Sequence, residues 1–374
     1  MTSQANTRPH EATDPLADIW AEIVTSQADG RVSRNSPAAV IVPPMPEVTG
    51  PPSGSSRAVS LSLAPDHAVA AFPLPKGEIM WRTDELLAQG LSKRRINEHL
   101  RAGSLVRVRT GVMARGSFWN GLSDGDRERA RLAAYSKRTL PASADGLTFS
   151  HTSAARLHRL YLWRADNLIH VTIPYHAARG SHAADVRAHS SPLLPGDRLE
   201  IDGLPVTCLH RTVLDCALML NYRQALILLD HGLRIGCEKQ RLESACAELT
   251  GVRGVAGFRR ALAFANPLSE SPGESLTRDV IARLRFPAPV LQFPVQTVRG
   301  TYRFDFAWPD LRAALEFDGK SKYFDYKPTA QVIYEERERE KLLTELGWRI
   351  LRIGWKDLFD ERSLKVRLLR LLSG

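Results

Sequence analysis

The side chains best equipped for chemistry gather towards the C-terminal end of the chain. Asp305 stands in Tyr302-Arg303-Phe304-Asp305-Phe306-Ala307, and Glu316-Phe317-Asp318-Gly319-Lys320 follows a few residues later. Between them Trp308-Pro309-Asp310-Leu311 has turn chemistry, so residues 302–307 and 312–317 are expected to pair as an antiparallel hairpin. A symmetric turn sets Asp305 roughly opposite Glu316. Side chains alternate along a strand, so Glu316, Asp318 and, by continuation, Lys320 share one face while Leu315 and Phe317 share the other. Three acids and a lysine then converge on one patch. Clustered carboxylates repel unless a proton or cation offsets them, and hard oxygen ligands suit Mg2+ or Mn2+. Asp305, Glu316 and Asp318 are therefore the candidate metal ligands. Such a site orients a water, lowers its pKa and neutralises charge growing on a scissile phosphate, with Lys320 placed to stabilise the oxyanion. The chemistry indicated is phosphodiester hydrolysis.

These residues need a frame. Ser271-Pro272-Gly273-Glu274-Ser275 opens a helix running to about residue 284, and an acid in its first turn is favoured by the helix dipole. On that ground alone Glu274 reads as a capping residue. Residues 335–346 form an acidic-basic helix that includes Arg339, with ion pairs at i, i+4 spacing. The segment from residue 274 onward reads helix, strand, strand, helix, strand, helix. Pro309-Asp310 falls in the turn and points away from the patch.

Taken together, Glu274, Asp305, Glu316-Phe317-Asp318-Gly319-Lys320 and Gly347-Trp348-Arg349-Ile350-Leu351-Arg352 resemble the very-short-patch-repair-endonuclease-like branch of the PD-(D/E)XK superfamily. The resemblance covers roughly the last quarter of the chain and implies a restriction-endonuclease-like domain. It also implies catalytic roles for Glu274, Asp305, Asp318 and Lys320, with Glu316 competing with Asp318 as the third acid. Arg339 would lie near that site; Lys322 and Tyr323 follow in the same block.

Further upstream, residues 79–115 form a compact unit of two helices and two short strands. Thr83 is expected to cap a helix over 84–88, Gly90 to stop it, and Ser92 to cap a second helix over 93–101 that ends at Gly103. Leu105, Val106 and Val108, then Gly111, Val112 and Met113, read as two strands around a turn, completing a helix-turn-helix with a wing. Ser92, Lys93, Arg94, Arg95 and Asn97 open the would-be recognition helix, where they can reach base edges and phosphates; Arg107 and Arg109 would contact backbone from the wing. Residues 81–115 are similar to the winged helix-turn-helix of the AbiEi antitoxin family, transcriptional repressors of abortive-infection toxin–antitoxin pairs. Ser150-His151-Thr152-Ser153-Ala154-Ala155 and Arg211-Thr212-Val213-Leu214-Asp215 are more loosely similar to that family's second domain. The resemblance implies duplex DNA and a toxin as partners.

The whole chain is consistent with this division. Its 374 residues suggest two or three domains at about 150 residues each. Hydrophobic residues at 43% and charged residues at 25% are enough to build packed cores and exclude a fibrous chain. Lys plus Arg outnumber Asp plus Glu by 51 to 41, and the net +10 favours polyanionic partners. Residues 1–75 are rich in Pro, Ala and Ser and are expected to be a disordered arm, within which Leu16, Ile19, Trp20 and Ile23 recur at helical spacing. The expected architecture is α/β multi-domain: this arm, a winged helix over 76–120, a middle α/β domain over 125–265, and a restriction-endonuclease-like domain over 270–374. In the middle domain a helix is expected over 212–232, with strands over 167–173 and 199–206. Cys208, Cys216, Cys237 and Cys246 show no C-x-x-C spacing and are read as reduced, mostly buried thiols. His151, His158, His170, His176, His182 and His189 lack H-E-x-x-H spacing and are expected at caps or on the surface. No run of about 18 apolar residues and no signal-peptide pattern is present, so a cytoplasmic protein is expected. Two functions follow as expectations: a metal-dependent DNA endonuclease in a defence or toxin–antitoxin setting, for which a homodimer is the simplest way to cut two strands, or an AbiEi-like regulator retaining an inactive nuclease-shaped domain.

Overall fold

The computed structural model describes residues 74–75, 79–139, 147–173, 183–319 and 330–373. The expected arm, apart from residues 74 and 75, lies outside the described residues, as do Lys320, Lys322, Tyr323, His176 and His182. The described residues form an α/β protein with three sheets, divided between two compact units, one within residues 22–141 and one within 142–374.

The first unit is a three-stranded antiparallel sheet, order β1-β3-β2, with four helices. Its elements run β1 (Met80–Arg82), α1 (Thr83–Ala88), α2 (Lys93–Arg101), β2 (Leu105–Arg109), β3 (Val112–Arg115), α3 (Gly116–Gly121) and α4 (Asp124–Thr139). β1 was not expected, and it changes the cap of α1. The chain passes from strand straight into helix, so Thr83 spends both its N–H (2.9 Å) and its Oγ1 (3.3 Å) on the Gly111 carbonyl. Arg82 takes the cap position instead, its N–H donating to Glu85 Oε2 at 2.8 Å. Ser92 caps α2 as its residue type predicts, Oγ accepting from Arg95 N at 3.3 Å. Ile96 of α2 then joins Trp81, Leu86, Leu91, Leu105 and Met113 in one core. The unit extends beyond the expected boundary at residue 120. α4 belongs to it, tied by Lys137 Nζ to Glu85 at 3.2 Å and by the Arg109 guanidinium over the Tyr135 ring at 5.0 Å.

The second unit opens with a five-stranded mixed sheet, order β6-β5-β4-β8-β7. It comprises β4 (Thr148–Phe149), β5 (Ile169–Ile173), β6 (Val186–Ser190), β7 (Arg198–Ile201) and β8 (Leu204–Thr207), with α5 (His151–Leu157) after β4. The single strand expected over 199–206 is a hairpin: Asp202 (φ 51°) and Gly203 (φ 74°) both take the left-handed conformation that a tight two-residue turn requires. Next come α6 (Leu209–Met219), α7 (Tyr222–Arg234), α8 (Lys239–Glu248) and α9 (Val255–Phe264). The one helix expected over 212–232 is thus two. Asn221 breaks it, its Oδ1 accepting from Gln224 N (3.1 Å) while Gln224 Oε1 accepts from Asn221 N (3.2 Å), a capping box that begins α7.

The rest of this unit runs α10 (Pro272–Arg283), β9 (Val290–Thr297), β10 (Gly300–Trp308), β11 (Ala313–Phe317), α11 (Ala330–Glu345), β12 (Arg349–Ile353) and α12 (Glu361–Leu372). The sheet order is β12-β11-β10-β9, antiparallel except for the parallel pair β11–β12. β9 was not expected; it is an edge strand, where Pro294 is tolerated. Leu276, Val280 and Ile281 of α10 and Leu364, Leu368 and Leu371 of α12 pack with Phe306, Leu315 and Ile353. Phe304, Ala307 and Ala314 form a second core with Leu343 of α11 and Trp348. Covered on both faces, Ala313-Ala314-Leu315 is a continuous apolar run rather than an alternating one.

Ile227 of α7 lies in the same core as α10 and α12, and Arg278 of α10 forks onto both carboxylate oxygens of Asp230 in α7 at 2.9 and 2.7 Å. The domain boundary expected between 265 and 270 therefore falls inside one compact unit. Cys216, Cys237 and Cys246 are buried and Cys208 half-buried, all unpaired with one another; burial pushes the Cys237 thiol up to about 12. Among the described residues no helix is long and apolar enough to cross a membrane.

Candidate functional site

Asp305 sits where two strands part. β10 and β11 pair at Phe306↔Leu315, Ala307↔Ala314 and Trp308↔Ala313. One residue further on, Asp305 Oδ2 accepts the Phe317 N–H at 2.8 Å, so a side-chain carboxylate replaces a ladder carbonyl. The turn that sets this register is a 3-10 turn over Pro309–Leu311 followed by Arg312 in the left-handed region (φ 48°), with Asp310 exposed in it.

Glu274 reaches the same place from α10. Ser271 caps that helix, its Oγ accepting the Glu274 N–H at 3.2 Å, so the Glu274 carboxylate is not needed as a cap. Instead its Oε2 accepts from Glu270 N (2.8 Å) and from Gln292 Nε2 (2.9 Å). The helix start lies very close to the end of β11: a Cβ on Gly273 would stand 1.9 Å from Phe317 Cε1, so only glycine fits.

Electrostatics bind the acids into one site. Burial, opposed by the Phe317 hydrogen bond and reinforced by the neighbouring Glu274 and Glu316 charges, holds the Asp305 carboxyl up at about 6. Burial likewise raises Glu274 above the usual carboxylate range. Glu316 is held by two guanidiniums: Arg339 of α11, which forks onto it, and Arg352 of β12, whose Nε lies 3.3 Å from Oε2. Asp318 is exposed just past β11, and its backbone N–H donates to the Ile353 carbonyl at 2.7 Å. Glu274 and Glu316 thus stand close enough to raise the Asp305 carboxyl, Asp318 is exposed past the end of β11, and Lys320 lies outside the described residues.

Sequence reasoning missed Gln292. It lies on β9 between the pairs Phe293↔Phe304 and Leu291↔Phe306, across from Asp305, with φ at 51°. A left-handed glutamine within a strand is strained, and such strain concentrates at functional sites. Its Nε2 serves Glu274, while its Oε1 is buried without a hydrogen-bond partner. These carboxylates and this oxygen are hard donors of the kind a divalent cation takes, but among the described residues no three of the acids have ligand atoms that all lie within 4.8 Å of one another.

Of the residues expected to read DNA, Ser92, Lys93, Arg94 and Asn97 are exposed on α2 and Arg107 on β2. Arg95 is turned inward, 2.7 Å from Glu98, and Arg109 lies over Tyr135. Of the histidines expected at caps or on the surface, His158 is the C-cap of α5, whereas His170 departs from that reading. His170 is fully buried in β5, and its ring nitrogens lie close to those of His151 and His189.

No family model matches the chain. Two proteins of Mycobacterium tuberculosis, Uncharacterized protein MT2308 (strain CDC 1551 / Oshkosh) and Uncharacterized protein Rv2248 (strain ATCC 25618 / H37Rv), are each 34% identical to it over 182 residues, 48% of this chain. The chain spans 66% of the length of these relatives. Among solved structures, the RV2827C protein from Mycobacterium tuberculosis aligns at 16% identity with a TM-score of 0.31, over 50% of this chain and 76% of that one.

Proposed function

We propose that the chain is a DNA-binding, divalent-metal-dependent endonuclease whose second unit ends in a restriction-endonuclease-like domain and whose first unit is a winged helix-turn-helix. The observation that carries this reading is Asp305, wedged between parting strands and held at about 6 with the Glu274 and Glu316 charges as contributors. Mg2+ or Mn2+ would be held by Asp305 with Glu274 and either Glu316 or Asp318, the ion drawing together acids that already raise the Asp305 carboxyl by their charge. Such an ion lowers the pKa of a bound water and offsets charge on the scissile phosphate. The chain itself orients these acids through the Phe317 N–H and the Gln292 amide, while Arg339 and Arg352 form ion pairs with Glu316. Duplex DNA would meet the exposed Lys93, Arg94 and Asn97 face of α2.

The deciding experiment incubates the purified protein with supercoiled and linear duplex DNA in Mg2+, Mn2+ or EDTA. Cleavage in either metal and none in EDTA is expected. The Glu316 ion pairs give a specific reason to keep a second reading, an AbiEi-like regulator with a toxin partner, because an acid neutralised by two arginines can serve structure alone. Metal-independent, tight DNA binding without cutting would establish that regulator reading in place of the nuclease.

Binding itself should be salt-dependent. Lys93→Ala and Arg94→Ala are each expected to weaken duplex binding and to reduce the slope of log K against log salt by about 0.9, one phosphate contact apiece. Fluorescence anisotropy across a salt series measures this, and an unchanged slope would remove α2 from the interface.

A further inference from the structure

A second cluster of ligand-type side chains lies in the five-stranded sheet, apart from the acids. His170 is on β5, His189 on the parallel neighbour β6, and His151 is the first residue of α5. One ring nitrogen from each lies within 4.8 Å of the other two. His170 Nδ1 is 2.9 Å from His189 Nε2, and the His151 ring stacks on His189 with 3.6 Å between centroids.

The surroundings hold these rings in place. His170 Nε2 faces the Asp166 carboxylate at 3.1 and 3.3 Å. A carboxylate on the far nitrogen fixes the tautomer, with the proton on Nε2 and the Nδ1 lone pair directed at the other two rings, which is how metal-bound histidines are commonly oriented. The His170 backbone is fastened too: its N–H donates to Ser153 Oγ at 2.8 Å and its carbonyl accepts from Ser150 N at 3.1 Å. His151 reaches the cluster from a left-handed backbone (φ 49°), a strained conformation for a non-glycine residue. Burial keeps His151 and His189 at about 3, so both rings are neutral, the form that ligates, at any ordinary pH. Arg187 and Arg211 add to that effect on His151, while Asp166 and Asp215 carry the offsetting negative charge.

We propose that His151, His170 and His189 form a three-histidine site for a transition-metal ion of the Zn2+ class, with Asp166 as its outer support and one coordination position left open. Three imidazoles without an oxygen ligand favour Zn2+ over Mg2+. In the metal-free protein His189 Nε2 donates to His170 Nδ1; for the ion to bind, that proton moves to His189 Nδ1, so that Nε2 ligates as a neutral imidazole. Zn–N bonds of 2.0–2.1 Å put tetrahedral ligand nitrogens about 3.3 Å apart, so the His170 and His189 nitrogens, 2.9 Å apart, need separate by only a few tenths of an ångström, while the His151 ring, stacked on His189, must turn its nitrogen toward the same point.

The test uses the full chain, stripped with chelator, returned to excess Mg2+, and titrated with Co2+ and then Zn2+. One equivalent of Co2+ with a tetrahedral visible spectrum, displaced by Zn2+, is expected. His189→Phe, which keeps a ring stacked on His151, should abolish binding, and Asp166→Asn should weaken it by about 10–100-fold. Asp305→Ala should leave it unchanged. Zn2+ should raise the melting temperature of the wild-type chain and not that of His189→Phe, a readout that also reports whether the variant is folded. Absence of a tight equivalent in the wild-type chain, binding undiminished by His189→Phe, or a thiolate-to-cobalt charge-transfer band placing the ion on cysteine would each overturn the proposal.

Discussion

Replacing Asp305 by asparagine is expected to lower metal-dependent DNA cleavage by at least ~100-fold while making the metal-free protein more stable. Both effects have one cause. The carboxyl is held at about 6 against an ordinary 3.8, so ionising it is harder in the folded chain than in the unfolded one. A raised folded pKa contributes stability that is fully present below about pH 4 and lost as the pH rises through about 6. At neutral pH the neutral amide avoids that loss and still accepts the Phe317 N–H, for a gain of roughly 1–3 kcal/mol. What it cannot supply is negative charge to a cation. In the wild-type chain, Mg2+ affinity and cleavage should for the same reason fall about tenfold per pH unit below about 6, where a proton competes for Asp305. Thermal melts in EDTA and cleavage assays from pH 5 to 8 check this pair of effects. A variant that still cuts, or one that melts below wild type in EDTA, would show that Asp305 is an ordinary structural carboxylate.

Arg211→Ala is expected to cost about 3–5 kcal/mol of stability, the largest effect on folding foreseen for any one residue. Arg211 is 1% exposed and is shared between two buried acids, Asp215 at 2.9 Å and Asp197 at 3.1 Å. A third contact runs from Nη2 to Ser191 Oγ at 2.6 Å. Burial already lifts the Asp197 carboxyl above its usual range, and the Arg211 charge is what opposes that rise. Removing the guanidinium takes away the charge that both carboxylates face in a low-dielectric interior. Lysine is expected to rescue little, because a point charge cannot serve three partners in the plane of a fork. Urea denaturation measures the loss, and a change below about 1 kcal/mol would mean that water takes over the arginine's role.

How far the sequence predicts these features depends on whether the determinant is local. The Ser92 cap, the bounds of α2 and the β10–β11 hairpin follow from residue types within a few positions, and the structure has them. The turn at Asp202-Gly203 and the break at Asn221 were equally local, yet strong apolar runs on either side concealed them. β9 was hidden differently: Pro294 and a left-handed Gln292 argue against a strand, and only an edge position beside β10 makes the segment one. Gln292 carries no signature of its own; its place beside Glu274 is made by a helix and a strand whose contact residues are 18 positions apart. The same holds for His170 and His189, brought together by a parallel strand pair across 19 positions. Glu316 illustrates a further case, where strand alternation carries no sign of the two arginines that pair with the side chain.

The fork of Arg278 onto Asp230 bears on how such a chain can evolve. A segment bounded by its own core can be cut from one gene and spliced into another intact. Here the last helices and sheet share Ile227 and a buried ion pair with α7. Severing the chain near residue 268 would bare that apolar side chain and strand a carboxylate without its cation. The C-terminal sheet thus depends on the helices before it, and a recombination that respects the fold must exchange both.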